Sequence, residues 1–149
     1  MKQLILSLTL LLCLAACDRA NRVTRQIEGT WAIEQLTLID WSGPGLDSVI
    51  SEGNLGEMEF FACDDPPREF CEAVVQLPSG DMIDYTFQTG GERITFRLQS
   101  PDLDSIDLPY RWAGAFDIEE RSNRELILSG KHLGDDTFET SDIRIRLVR

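Results

Sequence analysis

The strongest constraint on the fold is a succession of short segments in which apolar and polar residues alternate. In the segment 82–89, for example, Ile83, Tyr85 and Phe87 fall on one face and polar side chains fall mostly on the other. Strict alternation is typical of antiparallel strands with one face in a core and one in water. Eight such strand candidates follow one another, at residues 31–40, 57–62, 71–77, 82–89, 93–99, 110–118, 125–131 and 138–148.

The connections between these segments are mostly short and rich in turn-forming residues. Residues 78–81 (PSGD) and Gly90-Gly91 are hairpin signals. The glycine-rich segment 42–56 is predicted to be a longer loop that carries one helical turn around residues 46–51. No segment has a convincing amphipathic helical period. The sequence therefore predicts an eight-stranded antiparallel up-and-down barrel, with a β-sandwich as the alternative.

The first seventeen residues have the architecture of a signal peptide. Lys2 supplies a positive charge, residues 4–14 are largely apolar, and two alanines precede Cys17. The apolar run is shorter than the about 20 residues of a spanning helix. The ending Leu-Ala-Ala-Cys closely resembles the lipobox of bacterial lipoproteins. That resemblance implies that Cys17 carries acyl chains as the first mature residue, and that the protein lies in the bacterial cell envelope at the inner or outer membrane, facing the periplasm or exterior. The alternative is an ordinary secretory signal peptide.

This reading divides the chain into three parts. Residues 1–16 are the signal peptide, residues 17–26 are the lipidated N-terminus and a polar tether, and residues 27–149 are one domain. Cys13 leaves with the signal peptide and Cys17 carries lipid, so Cys63 and Cys71 remain. A pair of cysteines in an exported chain predicts a disulfide.

The formal net charge of −12 limits the partners that the protein can attract. Nucleic acids and anionic lipid headgroups favour basic surfaces, so this acidity argues against both. The charge suits plain solubility or a basic partner protein.

Gly29-Thr30-Trp31, at the start of the first strand candidate, resembles the G-x-W motif of the lipocalins and their calycin relatives. Eight strands and a long first loop agree with that family. In lipocalins an arginine near the chain end packs across the motif tryptophan, so the resemblance implies that Arg144 or Arg146 contacts Trp31. It also implies a small hydrophobic ligand inside the barrel. The candidate interior side chains are those of Tyr85, Phe87, Phe96, Trp112 and Phe116.

No pattern in the sequence indicates catalysis, a metal or a cofactor. His132 is the only histidine, and there is no nucleophile elbow. The aspartates at 102, 104 and 107 lack the glycine and glutamate of a calcium-binding loop. Two non-enzymatic hypotheses remain. The protein either binds a small hydrophobic ligand inside the barrel, or it has a filled barrel whose acidic loops bind a basic protein, such as a cell-wall enzyme that it inhibits.

Overall fold

A computed structural model describes residues 22–40, 47–63, 69–99, 105–132 and 142–149. Residues 22–27 are helical, and a 3-10 helix spans Leu108–Tyr110. The remaining regular elements are nine strands: β1 (Gly29–Asp40), β2 (Asp47–Glu52), β3 (Glu57–Phe60), β4 (Cys71–Gln76), β5 (Met82–Gly90), β6 (Arg93–Leu98), β7 (Trp112–Arg121), β8 (Glu125–His132) and β9 (Asp142–Val148).

Eight of the strands form a closed antiparallel barrel, as the alternation predicts. From β3 to β9 each strand pairs with the next one along the chain, and β1 pairs with β3 on one edge and with β9 on the other. The β1–β9 pairing is what excludes the β-sandwich, because in a sandwich the sheets would keep free edges. The up-and-down barrel is confirmed.

The prediction for residues 42–56 is wrong for residues 47–52, which form β2 rather than a loop with a helical turn. This strand pairs with Gln35–Asp40 of β1, next to the stretch of β1 that pairs with β3. It is the one strand outside the barrel. The local sequence is rich in glycine and serine and has weak strand propensity, so pairing with β1 decides its conformation.

The interior is built from alternate residues of the eight barrel strands. Along β4 and β5 the buried positions alternate with exposed or half-buried ones. The apolar residues at these alternating positions, such as Ile33, Val75 and Ile94, are buried, whereas Leu98 of β6 is only half-buried. They form one continuous hydrophobic core with Trp31, Met58 and Leu147.

The strand register gives the barrel two distinct ends. The helix end contains residues 22–28, the β5–β6 turn, the β7–β8 turn at residues 122–124, and Arg149. The loop end contains the β4–β5 turn at residues 77–81 and the described residues 105–111 of the β6–β7 connection.

Residues 22–26, which the sequence assigns to a tether, belong to the folded domain. Val23, Thr24 and Ile27 are buried against the helix end. The hydroxyls of Thr24 and Thr89 share a hydrogen bond there, which joins the helix to β5. The folded part therefore extends back to residue 22 instead of beginning at residue 27, because one helical turn brings these three side chains onto the barrel.

Candidate functional site

Trp31 organises the helix end of the barrel. Its side chain is fully buried, and its Nε1 donates a hydrogen bond to the carbonyl of Ile27 at 2.7 Å. The guanidinium of Arg149 lies over the indole, 4.0 Å from the ring centroid. The same guanidinium donates to the carbonyls of Ile27 and Glu28. The first strand, the helix and the last residue are thus joined around one indole.

The predicted contact of Arg144 or Arg146 with Trp31 is wrong, and Arg149 takes that place. Residues 143, 145 and 147 of β9 are buried, so the intervening arginines point away from the core. The same alternation, continued for one more step past the strand, turns residue 149 toward the core side. This signal was present in the sequence.

Arg144 and Arg146 instead make ion pairs on the outer surface. Arg144 pairs with Glu119 at 2.8 Å. Arg146 pairs with Glu34 at 2.5 Å and with Glu125 at 2.6 Å. The hydrogen bond that Arg146 donates to the Glu125 carboxylate, together with the nearby charge of Glu34, raises the pKa of Arg146 above its usual value.

Gly29 belongs to the same arrangement. Its φ angle is +101°, a left-handed conformation that residues with a side chain rarely adopt. A Cβ atom at this position would lie 3.3 Å from Nη2 of Arg149. Glycine at this position, two residues before Trp31, therefore lets the chain turn into β1. It also leaves room for the Arg149 guanidinium beside the backbone.

The five candidate ligand-binding side chains do come together in the interior, where they pack on each other. Tyr85, Phe87, Phe96, Trp112 and Phe116 are each at most 1% exposed. The Tyr85 and Trp112 rings stack with centroids 5.6 Å apart, and Phe96 meets Phe116 edge-on at 5.3 Å. Phe60 of β3 is also buried, and its ring meets that of Phe87 edge-on with centroids 5.1 Å apart. These distances are those of directly packed aromatic pairs.

The described residues of the β6–β7 connection cover the loop end of this core. Ile106 and Tyr110 are buried. The Tyr85 hydroxyl donates a hydrogen bond to the carbonyl of Tyr110, and Trp112 Nε1 donates to the carbonyl of Pro109 at 2.6 Å. The Tyr110 hydroxyl donates to the carbonyl of Leu55 at 2.8 Å. Three hydrogen bonds from buried rings to backbone carbonyls therefore hold this cover in place.

Both buried tyrosines are less acidic than a tyrosine in water. Burial raises the pKa of Tyr85 well above its usual range, although a backbone hydrogen bond from Trp112 opposes this in part. Burial also raises the pKa of Tyr110, and the negative charge of Asp107 adds to the effect. Both hydroxyls therefore remain neutral donors at neutral pH.

A polar cleft with a volume of about 720 Å³ lies outside this cover, between the β4–β5 turn and the β6–β7 connection. Asp81, Asp84 and Asp107 line it, and the apolar side chains of Ile83 and Ile106 contribute to its wall. All three carboxylates belong to exposed residues. None of them takes part in the ion pairs found among the described residues. Asp81 and Asp84 have no functional signal in the sequence, because nothing local indicates that a turn and a strand share a cleft with residue 107.

The predicted disulfide between Cys63 and Cys71 is confirmed, with the Cα atoms 5.5 Å apart. It joins the segment after β3 to the start of β4. The predicted lipidation site Cys17 lies outside the described residues, as do Asp102 and Asp104. Among the residues that the structure describes, no group of histidine, cysteine or acidic side chains is arranged to hold a metal ion. In the same ranges, no helix has the length and apolarity to cross a membrane.

Comparisons with known proteins give a likeness of fold. No protein-family model matches the chain. No curated protein matches it either. Six chains of solved structures match, among them a redesigned β-barrel that is 16% identical in sequence. The match covers 88% of this chain and 95% of that one, with a TM-score of 0.49. At this identity and score the likeness concerns barrel architecture alone, and no functional argument rests on it.

Proposed function

We propose that the protein is a bacterial lipoprotein, anchored through acyl chains on Cys17, whose lipocalin-like barrel is a non-enzymatic interaction module. Its loop end would bind a basic protein of the cell envelope. The observation that carries this proposal is the filled interior. The candidate ligand side chains contact one another and are covered at both ends of the barrel, so the outer surface is where a partner can bind.

The helix end supports the lipocalin-like reading. The resemblance expects a tryptophan after a glycine in the first strand and an arginine near the chain end stacked on it. Trp31 and Arg149 have that relation, with the guanidinium 4.0 Å from the ring centroid. The lipobox resemblance of residues 14–17 remains the basis for the anchor.

The packing distances favour an interaction module over a carrier of hydrophobic ligands. A drug-sized ligand occupies a pocket of about 300 Å³ or more. An eight-stranded barrel has an interior that side chains can just fill. Two tryptophans, four phenylalanines and a tyrosine are among the largest fully buried side chains of this core. The large cleft lies outside the core and is lined by polar side chains as well as apolar ones.

Charge at the loop end indicates the class of partner. Asp81, Asp84 and Asp107 line the cleft. The sequence between β8 and β9, which also connect at this end, contains Asp135, Asp136 and Glu139. Arg111 follows the β6–β7 connection, and its Nε donates to the carbonyl of Ile106. An acidic surface of this kind steers a positively charged protein toward the loop end.

A binding experiment with matched charge variants tests this proposal. The test variant is Asp81→Asn/Asp84→Asn/Asp107→Asn, and the control is Glu57→Gln/Glu59→Gln/Glu72→Gln on the outer face of β3 and β4. Lysozyme serves as a basic probe in calorimetric titrations from low salt to about 0.5 M salt. We expect the test variant to bind at least about tenfold more weakly and the control to bind as the wild type does. Equal weakening in both variants, or wild-type binding that does not respond to salt, would contradict the proposal.

The anchor and the absence of a carried ligand are tested separately. Metabolic labelling with palmitate should mark the wild type and leave Cys17→Ser unlabelled. Native mass spectrometry of the purified protein should show no bound apolar molecule. A hydrophobic ligand bound in stoichiometric amount would contradict the interaction module and favour a carrier of hydrophobic ligands.

A further inference from the structure

We infer that the cleft at the loop end binds an extended segment of its partner, in which basic and apolar residues alternate. This inference rests on the proposed function, because it concerns the same cleft and the same basic partner. It adds that the partner pairs with the free edge of one strand. The cleft has a volume of about 720 Å³. That is the size of a pocket for a small ligand, so it suits a short segment better than the broad face of a folded protein.

β5 has an unpaired edge in the wall of this cleft. The regular pairing of β5 with β6 stops at Tyr85 and Leu98. One further contact follows, in which the amide of Gln99 donates to the carbonyl of Asp84 at 2.9 Å. β5 begins at Met82, so its first residues extend past the end of β6. Met82 lines the cleft and is 67% exposed.

Alternation along the strand turns the backbone of Met82 toward the cleft. On the β4 side, the amide of Leu77 donates to the carbonyl of Asp81 at 2.8 Å, so odd-numbered residues here face β4. Met82 faces the other way, as Asp84 does. Among the residues that the structure describes, neither the N–H nor the carbonyl of Met82 has a backbone partner. A strand edge of this kind is where an extended segment can add to a sheet.

The two faces of this edge differ in polarity. Met82 and Asp84 are exposed on the outer face, whereas Ile83 is buried on the inner face. Ile106 of the β6–β7 connection is also buried and lines the same cleft. A strand added here therefore places alternate side chains beside Asp84 and beside the two isoleucines. A basic residue suits the first position, where its aliphatic stem can cover Met82, and an apolar residue suits the second.

The charge of the loop end favours a basic segment when all described residues there are counted. The acidic residues that the register and the turns place at this end are Asp40, Asp47, Glu52, Glu57, Asp81, Asp84, Asp107 and Asp142, and the basic ones are Arg97, Arg111 and Lys131. Lys131 is paired with Asp142, and the guanidinium of Arg97 lies over the ring of Phe70. The described part of this end is therefore acidic overall, and so is the cleft within it.

Calorimetric titration of the purified protein with designed peptides tests the inference. The probe has about six residues, the common length of a strand, and alternates lysine or arginine with valine. A second peptide has the same composition with its basic residues grouped together. We expect the alternating peptide to bind at least about tenfold more tightly, because only it presents charge on one face and valine on the other. Its binding should weaken in Asp81→Asn/Asp84→Asn/Asp107→Asn and stay unchanged in Glu57→Gln/Glu59→Gln/Glu72→Gln.

N-methylated peptides separate backbone pairing from charge. In an antiparallel pairing, the residue opposite Met82 has its side chain on the outer face, so the basic residues of the peptide turn their amides toward β5. N-methylation of the basic residues should therefore weaken binding by at least about tenfold, and N-methylation of the valines should change it by less than about twofold. Hydrogen exchange at the Met82 amide should slow when the unmethylated peptide binds, because this amide becomes a donor.

The possible failures are distinguishable. Equal affinities of the two N-methylated peptides, or of the alternating and grouped peptides, would overturn the inference. The proposed function would survive that result if the binding of lysozyme still depended on the three carboxylates. Carboxylate-dependent binding of lysozyme without binding of any peptide would assign the cleft to a folded basic surface, and would also overturn the inference. Binding of lysozyme and peptides that ignores the carboxylates would contradict the proposed function, and the inference with it.

Discussion

At the scale of single residues, one indole connects the two ends of the described chain. Trp31 accepts the Arg149 guanidinium on its face and donates to the carbonyl of Ile27. Arg149 therefore has three partners, the indole of Trp31 and the carbonyls of Ile27 and Glu28, although the residue is exposed. Arg144, five residues earlier, has one exposed ion pair with Glu119. The two arginines allow a direct comparison of a stacked contact with an ordinary surface pair.

Arg149→Gln should lower the free energy of unfolding by about 1–2 kcal/mol, because it removes a cation–π contact and charged hydrogen bonds to two carbonyls. Arg144→Gln should cost at most about 1 kcal/mol, since exposed ion pairs contribute little. Urea denaturation of both variants measures the difference. Equal losses would show that the stacking on Trp31 adds nothing to stability.

Tyr85→Phe should cost about 1–2 kcal/mol at neutral pH, because the carbonyl of Tyr110 loses a buried donor. The variant should also be less sensitive to alkali. Burial raises the pKa of Tyr85 in the folded state, while in the unfolded state this group ionises near pH 10. Its contribution to stability is therefore complete below about pH 10 and declines above it, by up to about 1.4 kcal/mol per pH unit.

This effect is measured by the unfolding free energies of the wild type and the variant between about pH 9 and 11. That range covers about one pH unit on either side of the pKa of an unperturbed tyrosine. The wild-type curve should fall more steeply than the Tyr85→Phe curve, which retains the contribution of Tyr110. Parallel curves would mean that Tyr85 ionises in the folded protein.

At the scale of elements, cross-strand pairing decides which local preferences prevail. β2 forms in a segment whose composition indicates a loop, because β1 offers it a free edge. Gly130 is a second case, since it has weak strand propensity but lies within β8. It pairs directly with Phe116 of β7, whose ring covers it. A Cβ at residue 130 would lie 2.6 Å from that ring.

Gly130→Ala should therefore destabilise the barrel by about 1–3 kcal/mol, because the methyl group overpacks the core. Gly90→Ala is the matched control at the end of β5, where a Cβ would have no neighbour within 4 Å. We expect the control to be neutral or slightly stabilising. Thermal unfolding of both variants compares them, and a neutral Gly130→Ala would show that Phe116 can move aside at no cost.

At the scale of the whole molecule, the barrel has a packed aromatic interior, and both of its ends are covered. Phe96 lies at the centre of the aromatic core and is within 6.3 Å, centroid to centroid, of Phe60, Tyr85, Trp112 and Phe116. These aromatic rings are buried and in contact with one another, so they occupy this part of the interior themselves.

Phe96→Ala should cost about 3–5 kcal/mol and leave an apolar cavity. Benzene should bind the variant and raise its melting temperature, while the wild type should show no such response. Phe96→Leu keeps most of the volume and serves if the alanine variant does not fold. A melting temperature of the wild type that rises with benzene would contradict the filled interior.

The sequence by itself determined the number of barrel strands, their inward and outward faces, the disulfide between Cys63 and Cys71, and most of the core residues. Alternation and turn residues are local signals, so they can be read along the chain. The alternation along β9 also places Arg149 on the core side, where it contacts Trp31. The lipocalin resemblance indicates Arg144 or Arg146 for that contact instead.

Only the tertiary structure decided the conformation of β2, the packing of residues 22–27, and the meeting of Asp81, Asp84 and Asp107 at one cleft. Barrel closure also brought the five candidate aromatic side chains into direct contact with one another. These features depend on strand tilt, register and the placing of distant residues at one end. A pattern along the chain does not contain that information, because these contacts join residues that are far apart in the sequence.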